Sequence, residues 1–163
     1  MSIAIIVTGT ICSGKSTLSK RISELFKFDL MDESNPKHFY GILDKIKEGD
    51  FKSPVIIEHT DILYTFDENK EYDIGKYFGK KIIIIMNVSD SILMKNINDR
   101  KSRGATGDYL NVDMFEMKRN IEKRFNEMPN DFVKYVANVN VENDYEYEYE
   151  KMIKFLSPHI RTE

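Results

Sequence analysis

Residues 3–17, IAIIVTGTICSGKST, constrain the fold more tightly than any other stretch of the chain. A charge-free run rich in β-branched residues reads as a buried strand, and the small residues that follow break it into a loop before helix-forming residues resume. Within this stretch GTICSGKS satisfies the spacing G-x-x-x-x-G-K-[ST], in the strand-before, helix-after context that the pattern needs. Gly9 and Gly14 allow backbone angles closed to other residues, so successive N–H groups across Cys12 and Ser13 can turn inward and cradle phosphates at the start of a helix. Lys15 reaches the outer phosphates, the Ser16 hydroxyl suits Mg²⁺, and Thr17 completes the first turn. Cys12 is read as a small side chain filling a loop position. A nucleoside triphosphate is the ligand this arrangement implies.

The rest of the chain alternates in the same manner. Apolar runs at residues 3–8, 55–57 and 82–88 predict strands, with weaker ones at 26–31 and 132–137. Leu18, Ile22 and Leu25 recur at helical spacing after the loop, as do Ile92, Leu93 and Ile97 after the third strong strand. Met114, Met117, Ile121, Phe125 and Met128 share a face of a helix that Pro129 stops. A last helix places Tyr145, Tyr149, Met152 and Leu156 inward, with Tyr147 and the glutamates toward solvent. The pattern predicts an α/β chain: a three-layer P-loop NTPase fold with a central parallel sheet of about five strands. With 163 residues, 41% of them apolar, residues 1–163 are expected to form one domain.

Charge and cysteine usage exclude other classes. With 24 basic and 27 acidic residues there is no overall basic field for a long duplex. The lone Cys12 excludes an internal disulfide and suits a reducing compartment, the cytoplasm or a host's cytoplasm. The N-terminal apolar run falls far short of the roughly 20 residues of a membrane span, so no membrane partner is expected. A GTPase-type switch is disfavoured too: NKEY at residues 69–72 lacks the base-reading aspartate, and DIGK at 73–76 puts its glycine one residue early.

A phosphoryl transferase needs an acceptor site facing the donor, built at the carboxyl ends of neighbouring strands. Asp32 follows the second strand and can take the proton of an attacking hydroxyl. Glu33 beside it faces away or meets Mg²⁺ through water. Glu58, His59 and Asp61 follow the third strand: Glu58 can order metal-bound water, and His59 either meets substrate or satisfies a buried polar contact. Residues 98–111 read as a lid, with Arg100 and Arg103 ahead of Gly104 and Gly107; a guanidinium closing on the transferring group offsets its charge. As dipole partners at a helix end, the same arginines would need no ligand. No arginine occurs between Arg21 and Arg100, where a phosphate-bearing acceptor would be clamped.

Four segments, GTICSGKST, MDES, VIIEHTD and RKSRGATGDYLNVDMFEMKRNIEKRF, occur in the order seen in the small P-loop kinases related to bacteriophage polynucleotide 5′-hydroxyl kinase, which the chain resembles over about residues 3–128. The resemblance implies an adenylate-kinase-like fold, ATP and Mg²⁺ as donor and metal, Asp32 as general base and Arg103 as lid arginine. The family's acceptor-side aspartate falls at His59, with Glu58 and Asp61 near it. The arginine that follows the family's catalytic aspartate has no counterpart in MDESNPKHFY. Related folds place residues around the adenine near Asn138, which is read here as a turn former. The expected acceptor is the hydroxyl of a nucleoside, a nucleotide or a short single-stranded nucleic-acid end. A (deoxy)nucleoside monophosphate kinase is the alternative enzyme, and a nucleotide-dependent regulatory or binding module the alternative of another class.

Overall fold

Strand β1, Ile3–Gly9, is buried at every position and lies at the centre of a five-stranded sheet in which every pairing is parallel. The computed structural model describes residues 2–32, 39–66, 73–104 and 113–160. Its sheet order is β2-β3-β1-β4-β5, with β2 at Asp29–Met31, β3 at Val55–Glu58, β4 at Lys80–Val88 and β5 at Val133–Val139. The β-branched runs have a direct cause: a parallel sheet is covered on both faces, so no position along a central strand can face water.

Successive side chains point to opposite faces, and the two cores divide accordingly. Ile3, Ile5, Val7, Ile56, Ile82 and Ile84 pack with Leu18 and Ile22 of α1, Lys15–Phe26, and with Met152 and Leu156 of α5, Asp144–Ile160. Ala4, Ile6, Ile57, Ile83 and Ile85 face the other way, onto α2, Phe39–Glu48, and α4, Met114–Glu127. A smaller cluster joins Cys12 to Leu93 and Ile97 of α3, Asp90–Ser102. This is the α/β fold expected from the sequence, with the central sheet between helices.

Three local expectations are corrected. The buried row on α1 is Leu18, Ile22 and the half-buried Phe26, while Leu25 is 53% exposed, because steps of four keep to the core as the helix turns and Leu25 falls beside the row. Phe26 accordingly ends the helix, Lys27 caps it in the left-handed region, and β2 begins only at Asp29. Glu148 was expected toward solvent with the other glutamates of α5, yet it is buried: the Tyr135 hydroxyl of β5 donates to its Oε2 at 3.1 Å, and Lys151 lies 3.7 Å from its Oε1. Burial, and then the Glu148 carboxylate, push the Tyr135 phenol up to about 12. Helix α2, not singled out from the sequence, covers β2 and β3 with Ile42, Leu43 and Ile46. Among the described residues no helix is long and apolar enough to cross a membrane.

Candidate active site

The loop between β1 and α1 has the shape its glycines require. Gly9 has φ 153° and Gly14 φ 90°. A Cβ on Gly9 would lie 2.8 Å from Ser13 Oγ, and one on Gly14 would lie 2.9 Å from the Tyr145 ring, so neither position admits a side chain without displacement. Cys12 also sits at positive φ, 70°, which an L-residue adopts only under constraint. Its thiol is buried; burial raises its pKa, against the opposing pull of Arg100 and Lys15.

The loop's outward carbonyls are partnered. Thr10 O accepts from Ser13 N at 3.2 Å and from Lys15 Nζ at 3.3 Å. Cys12 O accepts from Asn96 Nδ2 at 2.8 Å, Ser13 O from the Tyr145 hydroxyl at 3.2 Å, and Gly14 O from Leu18 N at 3.1 Å. Ser13 Oγ is buried with no hydrogen-bond partner. Ser16 and Thr17 are exposed on the first turn of α1, where a metal and a phosphate can reach them.

Strand register gathers the acidic groups. Met31 pairs with Ile57, and Glu58 pairs with Val7, so Asp32 and Glu58 emerge at the same end of the sheet as the loop. Both are buried, at 6% and 3% exposure, and Lys15 Nζ lies 3.7 Å from Glu58 Oε1. His59 is buried beside them: its backbone N–H donates to Val7 O at 3.3 Å, and its Nδ1 accepts from Asp61 N at 3.0 Å. Its ring packs on Phe39, with centroids 4.6 Å apart. Next to it, Thr60 Oγ1 is buried without a hydrogen-bond partner, although its carbonyl accepts from Thr8 Oγ1 at 3.2 Å. Asp61 is exposed and, with Tyr64, Asp113, Glu116 and Asn120, lines a cavity of about 260 Å³ between the turn that follows β3 and the start of α4.

The two arginines differ in placement. Arg100 is half-buried and close enough to Cys12 for its charge to lower that thiol's pKa. Arg103 is exposed and folds back on its own helix: its Nε and its backbone N–H both donate to Asp99 O at 3.2 Å. Arg103 thus bonds to the end of its own helix, and Arg100 stands near Cys12 of the loop. Glu33 and lid residues 105–111 lie outside the described residues. Asn138 is within β5 rather than in a turn after it, and its Oδ1 accepts from Asn87 Nδ2 at 2.8 Å.

A second cavity, of about 280 Å³, opens beside Gly14 and Thr17 between α1, β5 and α5. Leu18, Met86, Ala137, Tyr145 and Tyr149 give it apolar walls, and Arg21 stands at its side in a paired contact with Glu146 at 2.7 and 3.0 Å. The sequence reading missed Asn96 and Tyr145 as site residues. The one signal for Asn96 was an amide on the face of α3 that carries Leu93, Ile97 and, one turn on, Arg100.

No protein-family model and no curated protein matches the chain. Solved structures do match in fold. A sugar kinase from Janibacter sp. HTCC2649 shares 10% identity over 100% of both chains, with a TM-score of 0.64. Deoxyadenosine kinase from M. mycoides, solved with dCMP and dCDP, shares 20% over 95% of this chain and 98% of its own, with a TM-score of 0.58. Shikimate kinase from Acinetobacter baumannii, solved with shikimate, shares 12% over 99% and 97%, with a TM-score of 0.59. The fold is therefore that of P-loop kinases.

Proposed function

We propose that this chain is a kinase that transfers the γ-phosphoryl group of ATP to a hydroxyl of a nucleoside, a nucleotide or a nucleic-acid end. The observation that carries the reading is the pairing of Lys15 with the buried Glu58 carboxylate, with a second buried carboxylate, Asp32, at the same end of the sheet, where three adjacent parallel strands end beside a phosphate loop. Asp32, buried at the end of β2, supports the reading because an acceptor hydroxyl brought to that end of the sheet needs a base. Kinases named for deoxyadenosine, shikimate and sugar share the fold, and each name denotes an acceptor rich in hydroxyls.

The chemistry follows from placement. Loop N–H groups and the start of α1 bind the β- and γ-phosphates, and Lys15 moves from Glu58 and Thr10 O onto the phosphate oxygens. Asp32 accepts the acceptor's proton, and Arg100 and Arg103 offset charge on the transferring group. Among the described residues no trio of His, Cys, Asp or Glu is gathered to hold a metal alone. The hard oxygen donors present fit Mg²⁺ shared with a nucleotide's phosphates, which asks for one or two protein oxygens: the Ser16 hydroxyl directly, and Glu58 through water. Mg²⁺ there would screen the phosphate charge. The acceptor side supports an unphosphorylated acceptor, because the cavity at Asp61 and Tyr64 is lined by Asp113 and Glu116 and by no cationic side chain among the described residues.

The test is to incubate the protein with γ-labelled ATP, Mg²⁺ and separate pools of nucleosides, monophosphates, sugars and 5′-hydroxyl oligonucleotides. Label is expected on a hydroxyl of a nucleoside or of an oligonucleotide end. Label only on the phosphate of monophosphates would make the chain a monophosphate kinase, and label released only as inorganic phosphate would favour a regulatory module.

A further inference from the structure

We propose that Asn96 and Tyr145 are positioning residues that hold the phosphate loop in its phosphate-ready shape before any ligand arrives. The inference rests on the donor site described above and adds to it two residues outside the loop. A loop that turns its N–H groups inward must turn its carbonyls outward, and each outward carbonyl that is shielded from water needs a donor. Thr10 O and Gly14 O find theirs within the loop and the first turn of α1. Cys12 O and Ser13 O have no local donor; theirs come from α3 and α5, 84 and 132 residues away in sequence.

The donors close into one directed chain. An amide NH₂ has two protons, and Asn96 Nδ2 places one on Cys12 O at 2.8 Å and the other on the Tyr145 hydroxyl oxygen at 3.2 Å. The single phenolic proton of Tyr145 is then committed to Ser13 O at 3.2 Å. Burial raises the Tyr145 pKa, which keeps that proton in place. The same ring lies against Gly14, where a Cβ would come within 2.9 Å of it. Cys12, Ser13 and Gly14 are thereby fixed at consecutive positions, and the first is the residue held at φ 70°. A left-handed L-residue relaxes unless its surroundings over-determine it; the Asn96 amide supplies that restraint at the Cys12 carbonyl itself.

The arrangement also links the loop to the arginine-bearing helix. Asn96 and Arg100 are one helical turn apart on α3, so they share a face. The bond that holds Cys12 therefore also sets how far Arg100 stands from the phosphates. A purely structural pair would stiffen α3 and α5 against each other without altering what the loop binds.

Mg²⁺ with inorganic tripolyphosphate is the probe, because it presents the phosphates alone, with no base or sugar to reach the cavity at Tyr149 and Met152. Isothermal titration of the wild type, Asn96→Ala and Tyr145→Phe with tripolyphosphate and with ATP, alongside thermal unfolding of each free protein, tests the idea. Each variant is expected to weaken both ligands by the same factor, about three- to tenfold, as loss of one shielded hydrogen bond does. The double variant should lose less than the product of the single losses, since the two residues share one chain of bonds. Weaker ATP with unchanged tripolyphosphate would make Tyr145 a base or sugar contact and overturn the proposal. A lower unfolding temperature with unchanged binding of both ligands would overturn it too. Should the wild type bind neither ligand, the donor-site reading itself fails; wild-type binding with unaffected variants sinks the positioning role alone.

Discussion

Lys15 already has partners before a nucleotide enters: Glu58 at 3.7 Å and Thr10 O at 3.3 Å. Binding therefore exchanges one anionic partner for another, and Lys15→Met should abolish detectable ATP binding in a titration while leaving the fold intact by circular dichroism. Asp32→Asn keeps the shape of the side chain but cannot accept a proton; turnover should fall about 10²-fold with ATP affinity preserved. An unchanged rate removes Asp32 from the role of base. Cys12 offers a third check. Because burial raises its pKa more than Arg100 and Lys15 lower it, its thiolate fraction stays below that of a free thiol at mildly alkaline pH. Alkylation by iodoacetamide should be slower than for free cysteine and slower still with Mg-ATP; a rate equal to free cysteine would show that the loop is not closed over the sulfur.

At the scale of elements, α4 is held at its start by Asp113, whose Oδ1 accepts from Phe115 N and Glu116 N, both at 3.0 Å. Asp113→Ala should therefore cost about 1 kcal/mol, read as a shift of the urea midpoint. The pairing of β5 with α5 through Tyr135 and Glu148 carries a pH signature. Folding raises the Tyr135 pKa to about 12, so the folded chain holds that proton more tightly than the unfolded one. The resulting stability is complete below the unfolded tyrosine value of about 10, and is lost as pH rises through about 12. Phenolate absorbance should show a tyrosine titrating at about pH 12, and Tyr135→Phe should remove that step. These elements were unequally legible in the sequence. Strands in a two-faced core announce themselves through β-branched runs, and a loop of consecutive residues carries its motif intact, so β1, β3, β4 and the donor half were plain. Glu148 was misjudged because its burial depends on a contact with Tyr135 across the β5–α5 connection, beside the neighbouring Lys151. Asn96 was marked only by its place on the face of α3 and Tyr145 only as an inward residue of α5, since what matters about each is a carbonyl far away in sequence.

For the molecule as a whole, the loop is mounted on the most deeply buried strand, so global stability and donor binding are linked. A ligand that binds only the folded chain stabilises it by about 2.7 kcal/mol at a hundredfold excess over its dissociation constant. Mg-ATP should thus raise the unfolding temperature of the wild type and leave that of Lys15→Met unmoved. In the opposite sense, Ile5→Ala, which empties a fully buried site between β1 and the α1 and α5 face, should cost about 2–5 kcal/mol in denaturant unfolding. The two faces of the sheet also offer a spectroscopic consequence. Isoleucines of β1, β3 and β4 alternate between the α1–α5 layer and the α2–α4 layer: Ile5, Ile56, Ile82 and Ile84 on one side, Ile6, Ile57, Ile83 and Ile85 on the other. A single isotope label at isoleucine methyl groups would therefore place nuclear-resonance reporters on both sides of one sheet, letting the α1–α5 and α2–α4 layers be watched in the same tube as each ligand is added.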